Sequence, residues 1–517
     1  LADAVKPHAQ SEVLDFLADP SAYPGRPQAV ERHETHGAVV FVAGDEAFKV
    51  KRAVSFPYMD FSTLERRRLM CEREVAINRP NAPELYLGVA AITRERDGRL
   101  QIGGSGPAVE WAVRMRRFEQ GKLLSNIATQ GPLGRGLMER VADAIAAYHR
   151  KAPCVRAVDG ADRLKRDVDE LEQAFARAPD LFAPNAAEAF AAGSSDHLQG
   201  VSPCLRRRAE QGFFRRCHGD LHLRNIVLWR EAPVLFDAIE FNDEIATLDT
   251  LYDLAFLLMD LDRRGQRAAA NAVFGRYLWR SRSASDMEAL AALPLMLALR
   301  AGIRAMVAAD LAKQQVGDAA EQSRAEARTY FEAALGYLVT RRPRLIAVGG
   351  LSGTGKSTLA AALAPLASPA PGALHLRSDL ERKALFRAEP TDRLGAEAYA
   401  SEVTARVYAG IADQARQALA AGHSVIADAV YAASEERAAI EQVAAEAGVA
   451  FDGLWLTAAA GELKRRVAGR AGDASDATPE VVERQLRLET GIIGWRVLEA
   501  GGSSAATLEA ARARLGL

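Results

Sequence analysis

The run CHGDLHLRNIV at 217–227 sets Asp220 and Asn225 five positions apart, and Asp237 follows twelve residues after Asn225, behind the apolar run VLF. Moving a phosphoryl group between oxygen atoms needs a carboxylate that orients and deprotonates the acceptor hydroxyl, and oxygen ligands that hold a divalent cation on the phosphates. Asp220 has the type and place for the first task, Asn225 and Asp237 for the second. A second stretch, GGLSGTGKST at 349–358, satisfies G-x-x-x-x-G-K-[ST] with Gly350, Gly355, Lys356 and Ser357. Its glycines let main-chain N–H groups close around phosphate oxygens, Lys356 reaches the β and γ phosphates, and the Ser357 hydroxyl ligates Mg²⁺. Ser352, Gly353, Thr354 and Thr358 are counted with them as nucleotide-binding.

These residues need a frame. LIAVGG reads as a buried strand entering the glycine loop and TLAAALAPLA as the helix leaving it. Beyond it, ALHLRSD, HSVIADAV and FDGLWL alternate with helical stretches, the rhythm of a parallel α/β sheet. Between about 35 and 115, GAVVFV and EAFKVK flank a Gly-Asp turn, STLERRRLMCEREVAINR has helical spacing, and PAVEWAVRMRRF alternates apolar and charged residues. From 120 to 338 the pattern is mostly helical, interrupted by the polar stretch at 217 and by IVLW and VLFDAIEF. Pro343 breaks the last helix, which puts a boundary near 341. The expected fold is multidomain: an α+β bilobal kinase-like domain, with an N-lobe at 1–118 and a helical C-lobe at 119–340, then an α/β P-loop domain with a parallel sheet at 341–517.

Bulk properties narrow the class. With 517 residues, more than one core is expected. The 66 Lys plus Arg against 67 Asp plus Glu leave a net charge of −1, so no global basic field draws the chain to nucleic acid or anionic lipid. Cys71, Cys154, Cys204 and Cys217 form no CxxC pair and read as reduced thiols of a cytoplasmic protein. The opening LADAVKPHAQSEVLDFL has no signal-peptide pattern and reads as a short amphipathic helix. ALAALPLMLAL at 289–299 is too short to span a bilayer and contains Pro294, so it reads as a buried helix.

Residues 343–517 resemble the zeta-toxin-like and chloramphenicol-phosphotransferase-like P-loop kinases, through RSDLERKALF (377–386), VIADAVYAASEER (425–437) and LKRRVAGRAGDASDAT (463–478). The resemblance implies Asp379 as the base on the acceptor hydroxyl, Arg382 as an acceptor ligand, and Arg466 and Arg470 as lid arginines over the transferred phosphate. Asp428, ending an apolar strand, is the candidate to support Mg²⁺ in the manner of a Walker-B carboxylate. Residues 35–335 resemble the aminoglycoside phosphotransferases, whose catalytic loop reads H-G-D-x-x-x-x-N as His218 to Asn225 do. That likeness implies an ATP-clamping lysine on an N-lobe strand. Lys49 and Lys51 of EAFKVKR share one strand face; Lys49 is favoured, with Glu74 as helix partner and Glu72 as fallback. Adenine is expected near Met115 to Phe118. His222 reads as a solvent-facing loop residue.

The whole resembles bacterial fusions of an aminoglycoside phosphotransferase-like domain with a P-loop kinase. Implied are ATP and Mg²⁺ as cofactors and a small hydroxyl compound as acceptor. The function expected is a bifunctional phosphotransferase acting in successive steps on one metabolite. Two other readings are one domain as a nucleotide sensor for its neighbour, and a P-loop half acting on polynucleotide 5′-hydroxyl ends; the neutral charge balance gives the latter no support.

Overall fold

The computed structural model describes residues 7–35, 37–56, 59–469 and 473–517, in two compact units. The first takes residues up to 133 with 143–158 and 209–257; the second takes 134–142, 159–208 and 258–517.

The first unit is built on a six-stranded antiparallel sheet in the order Val30–Glu34, Ala38–Ala43, Glu46–Lys51, Ala108–Arg116, Tyr86–Arg94, Leu100–Ile102. Alternation along Glu46–Lys51 sends Phe48 and Val50 into a core with Val39, Phe41 and Ile92, joined by Val13 and Leu17 of the helix Pro7–Ala18. Each such burial stabilises by about 1.5–3 kcal/mol. Lys49 and Lys51 are thereby left on the opposite face. There the helix Leu64–Asn78 begins at Thr63, whose hydroxyl accepts from the Arg66 N–H at 3.2 Å. It packs Cys71 and Val75 against Tyr86, Val113 and Met115. The strand Tyr86–Arg94 was not anticipated from sequence, because YLGVAAITR has Gly and Ala where β-branched or alternating residues would mark a strand.

A hairpin pairs Ile226–Trp229 with Ala232–Leu235, Ile226 opposite Leu235. Arg230 and Glu231 turn it with φ of +48° and +64°, the geometry of a two-residue type I′ loop. This register brings Asn225 and Asp237 out at the same end, where the Phe236 N–H donates to the Asn225 carbonyl at 3.1 Å.

The second unit contains a five-stranded parallel sheet in the order Leu374–Arg377, Val425–Asp428, Arg344–Gly349, Ala450–Thr457, Arg496–Glu499. Its register sets Val348, Asp428 and Arg377 abreast at the carboxyl ends of their strands, where ligands of open α/β sheets bind. Ile346, Val348, Leu359, Leu363, Ile426 and Leu454 form the core beneath. The short edge strand Arg496–Glu499 carries a charge at each end and was not read from the sequence. The stretch 284–314 is apolar and long enough to cross a membrane, but 67% of its window is buried inside the fold. Pro294 occupies the first turn of the helix Leu293–Gln314, where it removes no helical hydrogen bond.

Candidate active sites

In the first unit, Glu74 divides its carboxylate between both lysines: Oε1 accepts from Lys49 at 3.0 Å and Oε2 from Lys51. Lys49 continues to Asp237 Oδ1 at 2.5 Å, while Lys51 continues to Glu240. Glu72 lies outside this network, on the exposed helix face beside Arg68. Three carboxylates thus meet two ammonium groups. Burial opposes the Lys49 charge, but Asp237, Glu74 and Glu240 outweigh it and hold its pKa well above the ordinary value. Burial likewise pushes against the Glu74 charge, and Lys49 and Lys51 overcome it, taking the carboxyl down to about 2.

Asp237 has φ of +61°, a left-handed conformation that costs an L-residue strain and is tolerated best by Asn and Asp. Its N–H donates to the Tyr86 hydroxyl at 3.1 Å, and Asn78 fixes the following residue by accepting from the Ala238 N–H at 2.8 Å. Asn225 Nδ2 donates to the Asp220 carbonyl and to Asp220 Oδ2, both at 2.9 Å, which turns its amide oxygen the other way. His222 departs from its sequence reading: it is 8% exposed, packs on the Phe256 ring, accepts from the Arg224 N–H through Nδ1, and places Nε2 3.3 Å from Asp220 Oδ2. Phe256 lies on a helix distant in sequence, so the residues around His222 give no hint that it is covered.

Asp253 was also missed. Fully buried, it accepts from the His218 N–H at 3.1 Å and the Gly219 N–H at 2.9 Å, and pairs with His149 at 3.0 Å. It therefore shapes the backbone on which Asp220 rides; a lone Asp inside TLYDLAFLL was the available signal. The donor set at the mouth, an amide oxygen and a carboxylate beside an excess of negative charge, fits a hard divalent cation.

The second site is made of main chain. Gly350, Gly353 and Gly355 have φ of +131°, +89° and +90°. A Cβ on Gly353 would stand 2.6 Å from the Leu463 carbonyl, and one on Gly350 2.5 Å from that of Leu456. The loop thus runs where only glycine fits and opens the helix Lys356–Leu363, whose start has no side-chain cap. Ser357 and Thr358 lie in its first turn, and the Thr354 hydroxyl donates to the Leu351 carbonyl at 2.8 Å. Lys356 donates to the same carbonyl at 3.1 Å. An N-terminal turn with lysine and hydroxyl beside it fits a Mg²⁺-bound phosphate. Gln485, which no sequence signal marked, accepts from the Ser352 N–H at 2.7 Å.

Asp428 is buried at the end of its strand, 3.3 Å from His375 Nε2. Burial raises its carboxyl, but the His375 hydrogen bond, with Lys356 and Arg377, brings it below the ordinary value. Asp379, in the first turn of the helix Ser378–Leu385, shows the reverse: burial raises it, aided by Asp428 and Asp473, against Arg377 and Lys356. Arg382 is buried, donates to the Ala398 carbonyl and the Thr404 hydroxyl, and lies over the Tyr399 ring. Arg466 is held by Glu462 and by the carbonyls of Ala500, Gly501 and Gly502. Arg470 lies outside the described residues.

Residues 75–293 match the model of the Phosphotransferase enzyme family, and residues 345–490 match that of an AAA domain. Fold, cradles and family matches together define a phosphotransferase of the kinase class, with an aminoglycoside-phosphotransferase-like part and a P-loop kinase part in one polypeptide. An uncharacterized protein of Mycobacterium tuberculosis (strain ATCC 25618 / H37Rv) is 30% identical over 475 residues, covering 89% of this chain and 91% of that protein. The chain belongs to the same family of two-domain proteins. Among solved structures, similar ones include a choline/ethanolamine kinase family protein from Mesorhizobium loti (16% identity, 64% of this chain and 99% of that one, TM-score 0.36) and a sugar kinase from Janibacter sp. HTCC2649 (18%, 34% and 95%, TM-score 0.26).

Proposed function

We propose that this chain is a bifunctional, ATP-dependent small-molecule phosphotransferase whose two parts act in succession on one metabolite in the cytoplasm. The proposed organisation is an N-lobe at 1–118, a C-lobe at 119–340 and a P-loop domain at 341–517. The observation that supports the reading is two residue clusters of different construction that each fit a cation-bound phosphate, one of side chains around Asp237 and one of a glycine loop opening a helix at Lys356.

In the first part, Asp220 accepts the proton of the acceptor hydroxyl as its oxygen bonds to the γ-phosphorus and the bridge to ADP breaks. Asn225 and His222 hold that carboxylate in place. Asn225 and Asp237 would hold Mg²⁺, which would neutralise charge on the phosphates. With a cation bound, Asp237 would hold it in place of Lys49, and Lys49, anchored on Glu74, would be available to the phosphates. Adenine binds near Met115 to Phe118.

In the second part, N–H groups from Gly350 to Thr358 and the Lys356 ammonium hold the phosphates. Ser357 and Asp428 form the cation side, Asp379 takes the acceptor proton, and Arg382 orients the acceptor. The raised Asp379 pKa makes it a stronger base at neutral pH. Arg466 serves as a lid cation after releasing its present carbonyls, and Arg470 is proposed for the same role.

The test is label transfer from γ-labelled ATP into a cell metabolite extract, with products identified by mass for wild type, Asp220→Ala and Lys356→Ala. Succession predicts a doubly phosphorylated product that each variant removes, with a singly phosphorylated one remaining in the variant blocked at the second step. Two unrelated products, each lost in one variant only, overturn succession. A variant that changes only the nucleotide dependence of turnover replaces it with the sensor reading, and label on polynucleotide ends with the third.

A further inference from the structure

The helix Arg267–Ser281 belongs to the stretch matched by the phosphotransferase family, yet within the second unit it packs on residues matched by the AAA domain. Asn271, buried, donates to the Ala373 carbonyl at 3.0 Å, and Phe274 meets the His423 ring at 5.0 Å. Trp279 Nε1 donates to the Leu380 carbonyl at 3.1 Å, and Arg280 grips Glu389 through two nitrogens at 2.8 and 2.5 Å. Arg282 ends the helix at φ +50° and sets one guanidinium nitrogen 2.8 Å from both oxygens of Glu381. Three of these contacts, to Leu380, Glu381 and Glu389, converge on the helix Ser378–Leu385 or the turn beyond it, the element that carries Asp379 and Arg382.

Exposed ion pairs of this kind hold little. Glu381, however, is 4% exposed, and among the described residues its other partner is Gln414 Nε2, which donates to it at 2.7 Å. Removing Arg282 leaves a buried carboxylate without its cation two residues from Asp379, and the cheapest relief is for the helix to shift or fray. We infer that Arg282 and Trp279 are positioning residues for the P-loop site: the other family's helix sets the register of the acceptor-side helix, so the P-loop part is not an autonomous kinase. This rests on the reading of Asp379 and Arg382 proposed above.

The test uses the full chain carrying Asp220→Ala, so that remaining label transfer comes from the P-loop part. Arg282→Ala is expected to lower kcat about 10- to 100-fold, as small misplacements of a reacting group do, with KM for ATP within about twofold of the parent because the glycine loop is untouched. Amide exchange over 378–385 should accelerate about tenfold or more, with the strands 344–349 and 425–428 unchanged. Arg282→Lys should recover part of both effects, restoring charge without the planar group. Trp279→Phe, which keeps the ring and removes only the donor, gives a milder change in the same direction in a protein that folds. Unchanged exchange over 378–385 in both Arg282→Ala and Trp279→Phe overturns the inference. Faster exchange with transfer indifferent to Asp379→Asn instead overturns the reading of the site, and the positioning role with it.

Discussion

In the function proposed above, the cluster around Asp237 and the loop around Lys356 serve one electrostatic task with opposite materials. The first draws Lys49, Lys51, Glu74, Asp237 and Glu240 from three separate segments and buries most of their charge, so its binding groups are also structural members. The second is one continuous glycine loop, held by close approaches that only glycine permits, with Lys356 at the start of the helix it opens. In the first, function and stability share the same atoms. In the second they are largely separable.

The largest expected effects are on rate. Asp220→Ala and Lys356→Ala should each cut transfer by their own part about 10²- to 10⁴-fold, read from products by mass, with the other part's nucleotide binding unchanged. Next comes Gly353→Ala. A methyl 2.6 Å from the Leu463 carbonyl on a backbone at φ +89° should weaken ATP binding at the loop by about 100-fold in calorimetry, although no charged or hydroxyl group has been removed.

Stability should separate the two cradles. Lys51→Met leaves Glu74 and Glu240 buried without their shared cation and should cost about 3–5 kcal/mol. Lys356→Met removes the contact with the Leu351 carbonyl and an ammonium that acts on Asp379 and Asp428, and should cost less than Lys51→Met. Urea unfolding of the four species, wild type and the two single variants with their double, reads both values. Equal costs would dissolve the contrast.

Acid should remove the contribution of His423 before that of Glu74. His423 is kept neutral by burial, which takes it from 6.5 to about 4 despite the Gly372 carbonyl it donates to. Between those values the unfolded chain binds a proton that the folded one refuses, so this contribution to stability falls as pH drops from 6.5 to 4. Glu74, lowered from 4.5 to about 2, stabilises fully above 4.5 and loses its contribution only as pH falls toward 2. Melting curves against pH for His423→Gln should lose the upper transition and keep the lower one. The smallest effect concerns Gln485: because it occupies the Ser352 N–H in the free protein, Gln485→Ala should tighten ATP binding a few-fold, about one hydrogen bond's net worth.

Legibility followed the same division. The glycine loop, its flanking strand Arg344–Gly349 and helix Lys356–Leu363, and the alternating strand Glu46–Lys51 were all readable, because their constraints act between near neighbours. HGDLHLRN and Asp237 could be listed as candidates in order, but not the His222 contact with Asp220 or the Asp253 carboxylate beneath the loop. Neither could the division of Glu74 between two lysines, nor the grip of Arg282 on Glu381.

What the chain's order of residues determined by itself is local chemistry: where φ must be positive, where N–H groups gather, and which carboxylates stand near an amide or hydroxyl. Folding alone decided which distant charges meet. Helix and turn preferences act over a few bonds and leave their mark in consecutive letters, whereas a buried ion pair between Lys51 and Glu240, 189 positions apart, exists only once sheet register and core packing have removed water from both.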